Sequence, residues 1–337
     1  MRSPFYLILG LSVPLFVIAQ DKYAGELFEF PGDARSVAMG GTGVSSTHEA
    51  ATGFFNPALL VHALEPSLML AHREQFGGIV DANLMAISFQ RTGELAFHLG
   101  VVQRGVDDIP DTRHALEDRN NDGKLDEDDR LIPEEIHFFN QREWGILLSV
   151  ARRDQIGWRW GGNVKLIGNS LAGELGLGLG FDLGMWRNLG QKMSLGILLQ
   201  DITTTQIYWS TGRWATTAPR ISSGMSLDIT LPVIEKSLMV EGEVTSRLDG
   251  RRLEESFHLW NASFICHTGA ELILNNNLRL RAGSSTLYPF TLGVGLRFTT
   301  FKLDYAYIGD TRSQVFEPTH QVSLTLFLEA IQAFLKS

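Results

Sequence analysis

Apolar and polar side chains alternate with a period of two along most of the chain after Ser67. In segment 290–298 one face carries Phe, Leu, Val, Leu and Phe, and the other carries Thr, Gly, Gly and Arg. Segment 175–185 repeats the pattern with Leu, Phe and Met against Gly and Asp. Because successive side chains of a strand point to opposite faces of a sheet, this pattern predicts strands with one apolar face and one small, polar or charged face.

The alternating segments predict about fourteen strands. Their predicted starts are near Ser67, Asp81, Glu94, Arg142, Gly157, Leu175, Gln191, Ile221, Ser237, Ser263, Asn277, Phe290, Phe301 and His320. Tight turns such as 91–93 and 275–276 alternate with long connections such as 105–141 and 202–220. An even number of strands, with short turns at one end and long loops at the other, is typical of a transmembrane barrel.

A soluble two-layer β protein would also alternate, because it buries the apolar faces in its core. So many clean apolar faces would need an unusually large core, whereas bilayer hydrocarbon covers them in a barrel whose closed ladder satisfies every backbone amide. We therefore predict an all-β fold: a transmembrane, antiparallel, up-and-down β-barrel of about fourteen strands over residues 67–328. A soluble exported β protein is the alternative.

The first twenty residues predict export. Met1 and Arg2 precede an almost wholly apolar run from Phe5 to Ala19, and polarity begins at Gln20. An apolar run of this length is typical of a secretory signal, which we place at residues 1–20. The run is shorter than the roughly 20 apolar residues that a membrane-spanning helix needs. An uncleaved anchor helix is the alternative. Because exported transmembrane barrels insert into the outer membrane, we predict that the protein lies in the outer membrane of a Gram-negative-type bacterium.

Residues 21–66 do not alternate. Segment 32–60 is rich in Gly, Ala, Ser and Thr, which permit close packing, and Pro57 bends the chain before it enters the wall. We predict that residues 21–66 form a plug or hatch inside the barrel. A flexible periplasmic leader is the alternative.

Two motifs in this segment resemble those of the PorV/PorQ family of FadL-like outer-membrane barrels. The motif residues are Ala34, Arg35, Met39, Gly40 and Gly41, followed by Asn56, Pro57 and Ala58. Segments 302–307 and 320–326 extend the resemblance. It implies a fourteen-stranded barrel with an N-terminal hatch. It also implies either type IX protein secretion, with secretion components or exported cargo proteins as partners, or passive uptake of small hydrophobic solutes.

The acidity of the chain is concentrated in one loop. The 337 residues carry a formal net charge of -9, and the stretch 107–135 alone holds 12 acidic and 4 basic residues. An acidic chain has no general attraction for nucleic acid, and its one cysteine forms no intrachain disulfide. The excess charge therefore indicates a local ligand site in the predicted extracellular loop, residues 106–141.

This loop has the spacing of a calcium-binding loop. Oxygen ligands stand at positions 1, 3, 5, 7, 9 and 12: Asp118, Asn120, Asp122, the carbonyl of Lys124, Asp126 and Asp129. A chain that wraps around a hard cation needs this spacing and a glycine, here Gly123, at the sharp turn. Asp129 replaces the bidentate Glu of an EF-hand. We predict a structural Ca²⁺ site in this loop, and the alternative is a solvated acidic loop without an ion. If the chain is the soluble exported β protein named above, this site makes it a calcium-binding protein.

The predicted inward faces carry charges of both signs. The predicted lumen-lining residues are Glu241, Glu243, His267, Glu271, Arg279, Arg281, Arg297, Lys302 and Asp304. They either pair with one another and with the plug, or line a selective pathway.

Catalytic motifs fail on spacing. Segment 168–172 lacks the last glycine of a nucleophile elbow, and segment 48–52 lacks the second His of a zinc protease. The glycines at 176, 178 and 180 share one strand face rather than opening a helix. We predict that the protein is not an enzyme, that it contacts outer-membrane lipid, and that residues 329–337 form a short amphipathic tail.

Overall fold

A computed structural model describes residues 26–29, 32–46, 49–62, 65–92, 94–117, 129–247, 257–259, 262–309 and 318–336. The predicted signal, residues 1–20, and segment 118–128 of the acidic loop lie outside the described residues. None of the described helices is long and apolar enough to cross a membrane.

Fourteen antiparallel strands form one closed barrel. They are β1 (Ser67–Gln75), β2 (Val80–Thr92), β3 (Leu95–Asp111), β4 (His137–Arg153), β5 (Arg159–Leu171), β6 (Glu174–Asn188), β7 (Met193–Gln200), β8 (Arg220–Leu231), β9 (Lys236–Arg247), β10 (Ala262–Ile273), β11 (Leu278–Ser285), β12 (Phe290–Arg297), β13 (Phe301–Gly309) and β14 (Thr319–Phe327). Each strand pairs with its neighbours along the chain, and β1 pairs with β14 from Ser67 opposite Phe327 to Glu74 opposite His320. The predicted fold class is confirmed.

Shorter elements lie inside the barrel and at its ends. The helices are α1 (Ala34–Ala38), α2 (Thr52–Phe55) and α3 (Leu328–Lys336), with short 3₁₀ segments at Glu26–Glu29, Glu49–Ala51, Pro57–His62 and Pro133–Glu135. The short strands Thr205–Trp209 and Trp214–Thr217 form a hairpin, Phe257–Leu259 pairs with β10, and Leu116–Glu117 pairs with Arg130–Leu131.

The barrel is apolar outside and polar inside. On the outer face of β12, Leu292, Val294 and Leu296 are 41%, 39% and 38% exposed. Thr291, on the inner face of the same strand, is fully buried. Similar exposed leucines, valines and phenylalanines recur on strands around the ring. A water-soluble protein rarely exposes so continuous an apolar surface, while hydrocarbon matches it. The apolar faces therefore form an outer belt and not the core that the soluble alternative requires.

The two ends of the barrel differ. At one end, which we call the short-turn end, the strands are joined by 93–94, 154–158, 189–192, 232–235, 274–277 and 298–300, and the chain enters β1 and leaves β14. At the opposite, long-loop end, the connections 112–136, 201–219, 248–261 and 310–318 are longer, although 76–79, 172–173 and 286–289 are short. In transmembrane barrels the short turns face the periplasm.

The belt predicts where a charge is costly. We expect Val294→Arg, in the middle of β12, to lower the free energy of unfolding by about 2–4 kcal/mol, because an arginine there must leave water for hydrocarbon. The same change at Ile79, in a turn at the long-loop end, should cost less than about 0.5 kcal/mol. Urea unfolding of the refolded protein in lipid vesicles measures both; equal losses would contradict the belt.

Candidate functional site

The lumen of the barrel holds the N-terminal part of the chain. We call residues 32–46 and 49–62 the inner segment; most of them are buried. Helix α1 contacts β11 to β14, and the turn Pro57–His62 contacts β4, β5 and β6 on the opposite side. Asp33 caps α1 by accepting a hydrogen bond of 2.8 Å from the amide of Ser36. All eight residues of the two motifs in the sequence lie in this segment.

The turn after α1 lies directly on the backbone of the wall. Gly40 and Gly41 have φ values of +73° and +87°, a conformation that favours glycine. A Cβ on Gly40 would stand 2.5 Å from the carbonyl oxygen of Ser284, and a Cβ on Gly283 of β11 would overlap the amide nitrogen of Gly40. Glycines on both surfaces let the two backbones touch. Thr291 fixes the turn by accepting from the Gly40 amide at 3.1 Å.

The second motif uses the same device on the other side of the lumen. Asn56 donates from Nδ2 to the carbonyl oxygens of Val44 at 2.8 Å and Met185 at 3.1 Å. A Cβ on Gly184 of β6 would overlap the Asn56 side chain, and a Cβ on Gly161 of β5 would overlap the backbone of Pro57. The alternating pattern alone does not identify these wall glycines as contacts of the motif. The available signal is that both glycines occupy inward-facing positions of their strands.

Wall charges form a continuous network on β10 to β13. The Nε of Arg281 lies 2.5 Å from Glu271, and its Nη1 lies 2.7 Å from Asp304. Lys302 contacts the other oxygen of Asp304 at 3.1 Å. All four side chains are largely removed from water, so each charge depends on its neighbour for compensation.

The inner segment completes this network with one charged residue from each of its two parts, 32–46 and 49–62. Arg35 of α1 contacts Glu271 at 3.3 Å. Glu49 contacts Lys302 and Arg297 of the wall, each at 2.9 Å. Burial alone would raise the pKa of Glu49, but the two cations outweigh it and hold the pKa of this carboxyl below its usual value. The carboxylate is therefore ionised at neutral pH.

Three other wall residues bind the main chain of the inner segment. Glu243 accepts hydrogen bonds from the amides of Gly43 and Val44 at 3.0 and 3.1 Å, and Glu241 accepts one from the amide of Ser45 at 3.1 Å. The Nδ1 of His267 lies 2.8 Å from the Gly40 carbonyl oxygen, to which it donates. With Arg279, which faces the lumen beside Glu49 and Glu271, all nine predicted lumen residues lie on the inner wall.

The inner segment divides the lumen into two chambers. The loop-side chamber, of about 250 Å³, opens toward the long loops, and its lining includes Phe28, Phe54, Phe55, Arg104 and Tyr288. The turn-side chamber, of about 420 Å³, is more polar, and its lining includes Arg35, Ser45, Ser46, Glu49 and Arg279. Val44 lines the first chamber and Ser45 the second. The backbone of the inner segment is thus the partition between them.

A buried group of charged side chains stabilises a bulge in the barrel wall. The alternating pattern predicts a loop for this part of the chain. Four residues, 201–204, stand between β7 and the strand Thr205–Trp209, opposite only the two residues 218–219. Lys165 contacts both Asp201 and Asp182, at 2.7 Å for Asp182, and Arg220 lies 3.4 Å from Asp201. An apolar groove of about 850 Å³ lies beside the bulge, and its lining includes Phe181 and Ile202.

Metal ligands are few among the described residues. Of the predicted calcium ligands the structure describes Asp129; Asp118, Asn120, Asp122, Lys124 and Asp126 lie outside the described residues. Within the described residues, one group of acids and imidazoles is close enough to share an ion: His72, Glu74 and Asp81, on β1 and β2. Exposed acidic groups of this kind are common without a metal.

The chain resembles solved structures of FadL-like barrels. A crystal structure of the P. putida toluene transporter TodX has a TM-score of 0.60 at 13% identity, covering 87% of this chain and 96% of that one. A Pseudomonas aeruginosa FadL homologue has a TM-score of 0.54 at 11% identity, with coverage of 88% and 98%. The CymD monoaromatic hydrocarbon channel has 0.54 at 12%, with coverage of 88% and 97%. Neither a protein-family model nor a curated protein matches the sequence. At these identities the likeness shows the fold.

The glycine contacts predict how tightly the inner segment is held. We expect Gly283→Val to push the turn at Gly40 off the wall, because overpacking of this kind costs about 1–3 kcal/mol. A thiol at Val37→Cys, in a chain with Cys266→Ala, should then react with a water-soluble maleimide roughly 5- to 100-fold faster. The matched control is Gly168→Val on β5, where a Cβ meets nothing within 4 Å. Equal rates in the two variants would contradict the contact.

Proposed function

We propose that this protein is an outer-membrane channel for the passive uptake of small hydrophobic compounds. The similar solved structures include a toluene transporter and a monoaromatic hydrocarbon channel, and their fold accounts for most of this chain. The apolar belt of the barrel supports a membrane location, and export of a barrel supports the outer membrane. A channel of this kind performs no covalent chemistry, which agrees with the absence of catalytic spacing in the sequence.

The observation that carries the proposal is the loop-side chamber above the inner segment. Its lining brings an aromatic side, formed by Phe28, Phe54 and Phe55, together with polar and charged wall side chains such as Arg104 and Arg220. An apolar cavity of about 150 Å³ accommodates benzene in another protein, so a chamber of about 250 Å³ accommodates a compound with one aromatic ring. Aromatic faces supply the apolar contacts that such a compound loses on leaving lipid or detergent.

Passage along the barrel axis requires movement of the inner segment, because its backbone separates the two chambers. It is attached to the wall by ion pairs and hydrogen bonds rather than covalently, and water in the polar turn-side chamber can replace those contacts. The inner segment therefore acts as a gate: compound binds on the loop side, the segment shifts, and the compound reaches the turn-side chamber down its own concentration gradient. No energy source enters this scheme.

Membership of the PorV/PorQ family and a role in type IX secretion remain predictions of the sequence resemblance. The motif residues that carry the resemblance hold the inner segment against wall glycines, a structural task that fits either role. We place uptake first because the similar solved structures include hydrocarbon transporters and channels.

We also propose that the acidic loop binds one Ca²⁺ ion. Leu116 pairs with Leu131, and Glu117 pairs with Arg130. This short ladder brings residues 117 and 130, which flank the pattern of ligands in the sequence, next to each other. A cation would hold together carboxylates that otherwise repel one another.

Calorimetric titration of the detergent-solubilised protein with Ca²⁺ tests this site. We expect Asp122→Ala, which removes a central ligand, to weaken binding by about tenfold or more. Asp108→Ala, near the end of β3 and outside the pattern, is the matched control, because it removes the same charge from this end of the barrel. Identical titrations of wild type and Asp122→Ala would remove the site.

A reversible lock tests the gate. Val37 of α1 and Ala306 of β13 pack in one buried cluster, so Val37→Cys with Ala306→Cys, in a chain with Cys266→Ala, should form a disulfide between the inner segment and the wall. We expect the oxidised protein to admit toluene into proteoliposomes no faster than protein-free vesicles do, and the reduced protein to recover the wild-type rate.

The control lock joins two wall strands without touching the inner segment. Val244 of β9 stands opposite Cys266 of β10 on the outer face, so Val244→Cys alone supplies this pair. Uptake that continues with Val37 and Ala306 cross-linked would overturn the gate, and absence of uptake by the wild type would overturn the channel.

A further inference from the structure

The C-terminal helix α3 has one apolar and one polar side. At 3.6 residues per turn its apolar side chains fall within an arc of about 120°, and they are Leu328, Ile331, Phe334 and Leu335. Its polar side chains fall within a separate arc of about 60°, and they are Glu329, Gln332 and Lys336. This separation is that of a helix at a boundary between an apolar and an aqueous phase.

The start of α3 is fixed to the barrel at the short-turn end. Leu328 directly follows Phe327, the last residue of β14, and its amide donates to the carbonyl oxygen of Pro66 at 3.0 Å. The Phe327 amide donates to Thr300 at 2.9 Å. In the same turn the rings of Phe298 and Phe301 stack with centroids 4.6 Å apart. Aromatic residues at strand ends mark the membrane–water interface, so α3 begins at that depth.

The barrel does not bury this helix. No residue of α3 is buried, and Phe334 and Leu335 are 70% and 78% exposed. Two large apolar side chains side by side in water are unfavourable, and the nearest apolar phase is the lipid around β13 and β14, whose outward residues include Leu303 and Val322. Lipid next to the belt is therefore the apolar phase available to this side of α3.

We propose that α3 is an interfacial helix, which lies on the short-turn side of the bilayer with Ile331, Phe334 and Leu335 in lipid and Gln332 in water. With nine residues it is too short to span a membrane. Its attachment to β14 keeps it at the surface, so it needs little lipid affinity of its own. Lys336 in the last turn faces the phosphates of the lipid headgroups.

Fluorescent labels on the two sides of α3 test this placement. The variants are Phe334→Cys and Gln332→Cys, whose positions lie about 160° apart around the helix. Each is made in a full-length chain with Cys266→Ala, labelled with the environment-sensitive NBD fluorophore and placed in phosphatidylcholine nanodiscs. We expect position 334 to be quenched roughly threefold more than position 332 by lipid carrying a shallow doxyl group, and position 332 to be quenched more by aqueous iodide.

A third variant tests whether the apolar side holds the helix down. Ile331→Asp should release the label at position 334, so that iodide quenches it as strongly as it quenches position 332. Equal doxyl quenching of positions 332 and 334 in the helix with Ile331 intact would overturn the proposal. Protection of position 334 from both doxyl lipid and iodide would also overturn it, because that result means contact with protein.

Discussion

Hydrocarbon offers no hydrogen-bond partner to a peptide group, and this constraint shapes the whole molecule. The ladder between β1 and β14 satisfies it by leaving no open strand edge in the ring. Once the ring is closed, the alternation of side chains sends apolar residues to lipid and polar residues inward. The lumen then contains charged groups that neither lipid nor a packed apolar core can compensate, so the chain must supply compensation from elsewhere.

The inner segment supplies much of that compensation. Glu49 lies between Lys302 and Arg297, and Arg35 shares Glu271 with the wall. Removal of one partner from such a buried network leaves an uncompensated charge, which costs more than the pair itself contributes. Wall and inner segment are therefore mutually dependent. The backbone contact between Gly40 and Gly283 adds a steric fit to these ionic contacts, because only residues without a side chain allow the two backbones to approach so closely.

The barrel could be predicted from sequence because a period of two is a local signal. Thirteen of its starts agree closely with the alternation, but β4 begins at His137 and not at Arg142, since 137–141 extend the ladder with β3 beyond the belt and lack its apolar rhythm. The strands Thr205–Trp209 and Trp214–Thr217 were read as loop for the same reason. The inward orientation of the lumen charges could be predicted because alternate residues of a strand face the lumen. The partners of these charges could not be predicted. Glu243 binds amides 199 and 200 positions away in the sequence, and no local pattern carries that information.

The separation between partners also has a consequence for the order of assembly. The amide of Ala34 donates to Ser323, 289 positions later, and Arg35 reaches Glu271 across 236 positions. These contacts exist only after the last strands are in place, and contacts so distant along a chain form late because of the loops they close. The inner segment is made before every strand that holds it. It therefore waits until the wall is nearly complete, and the first part of the described chain is the last to reach its native position.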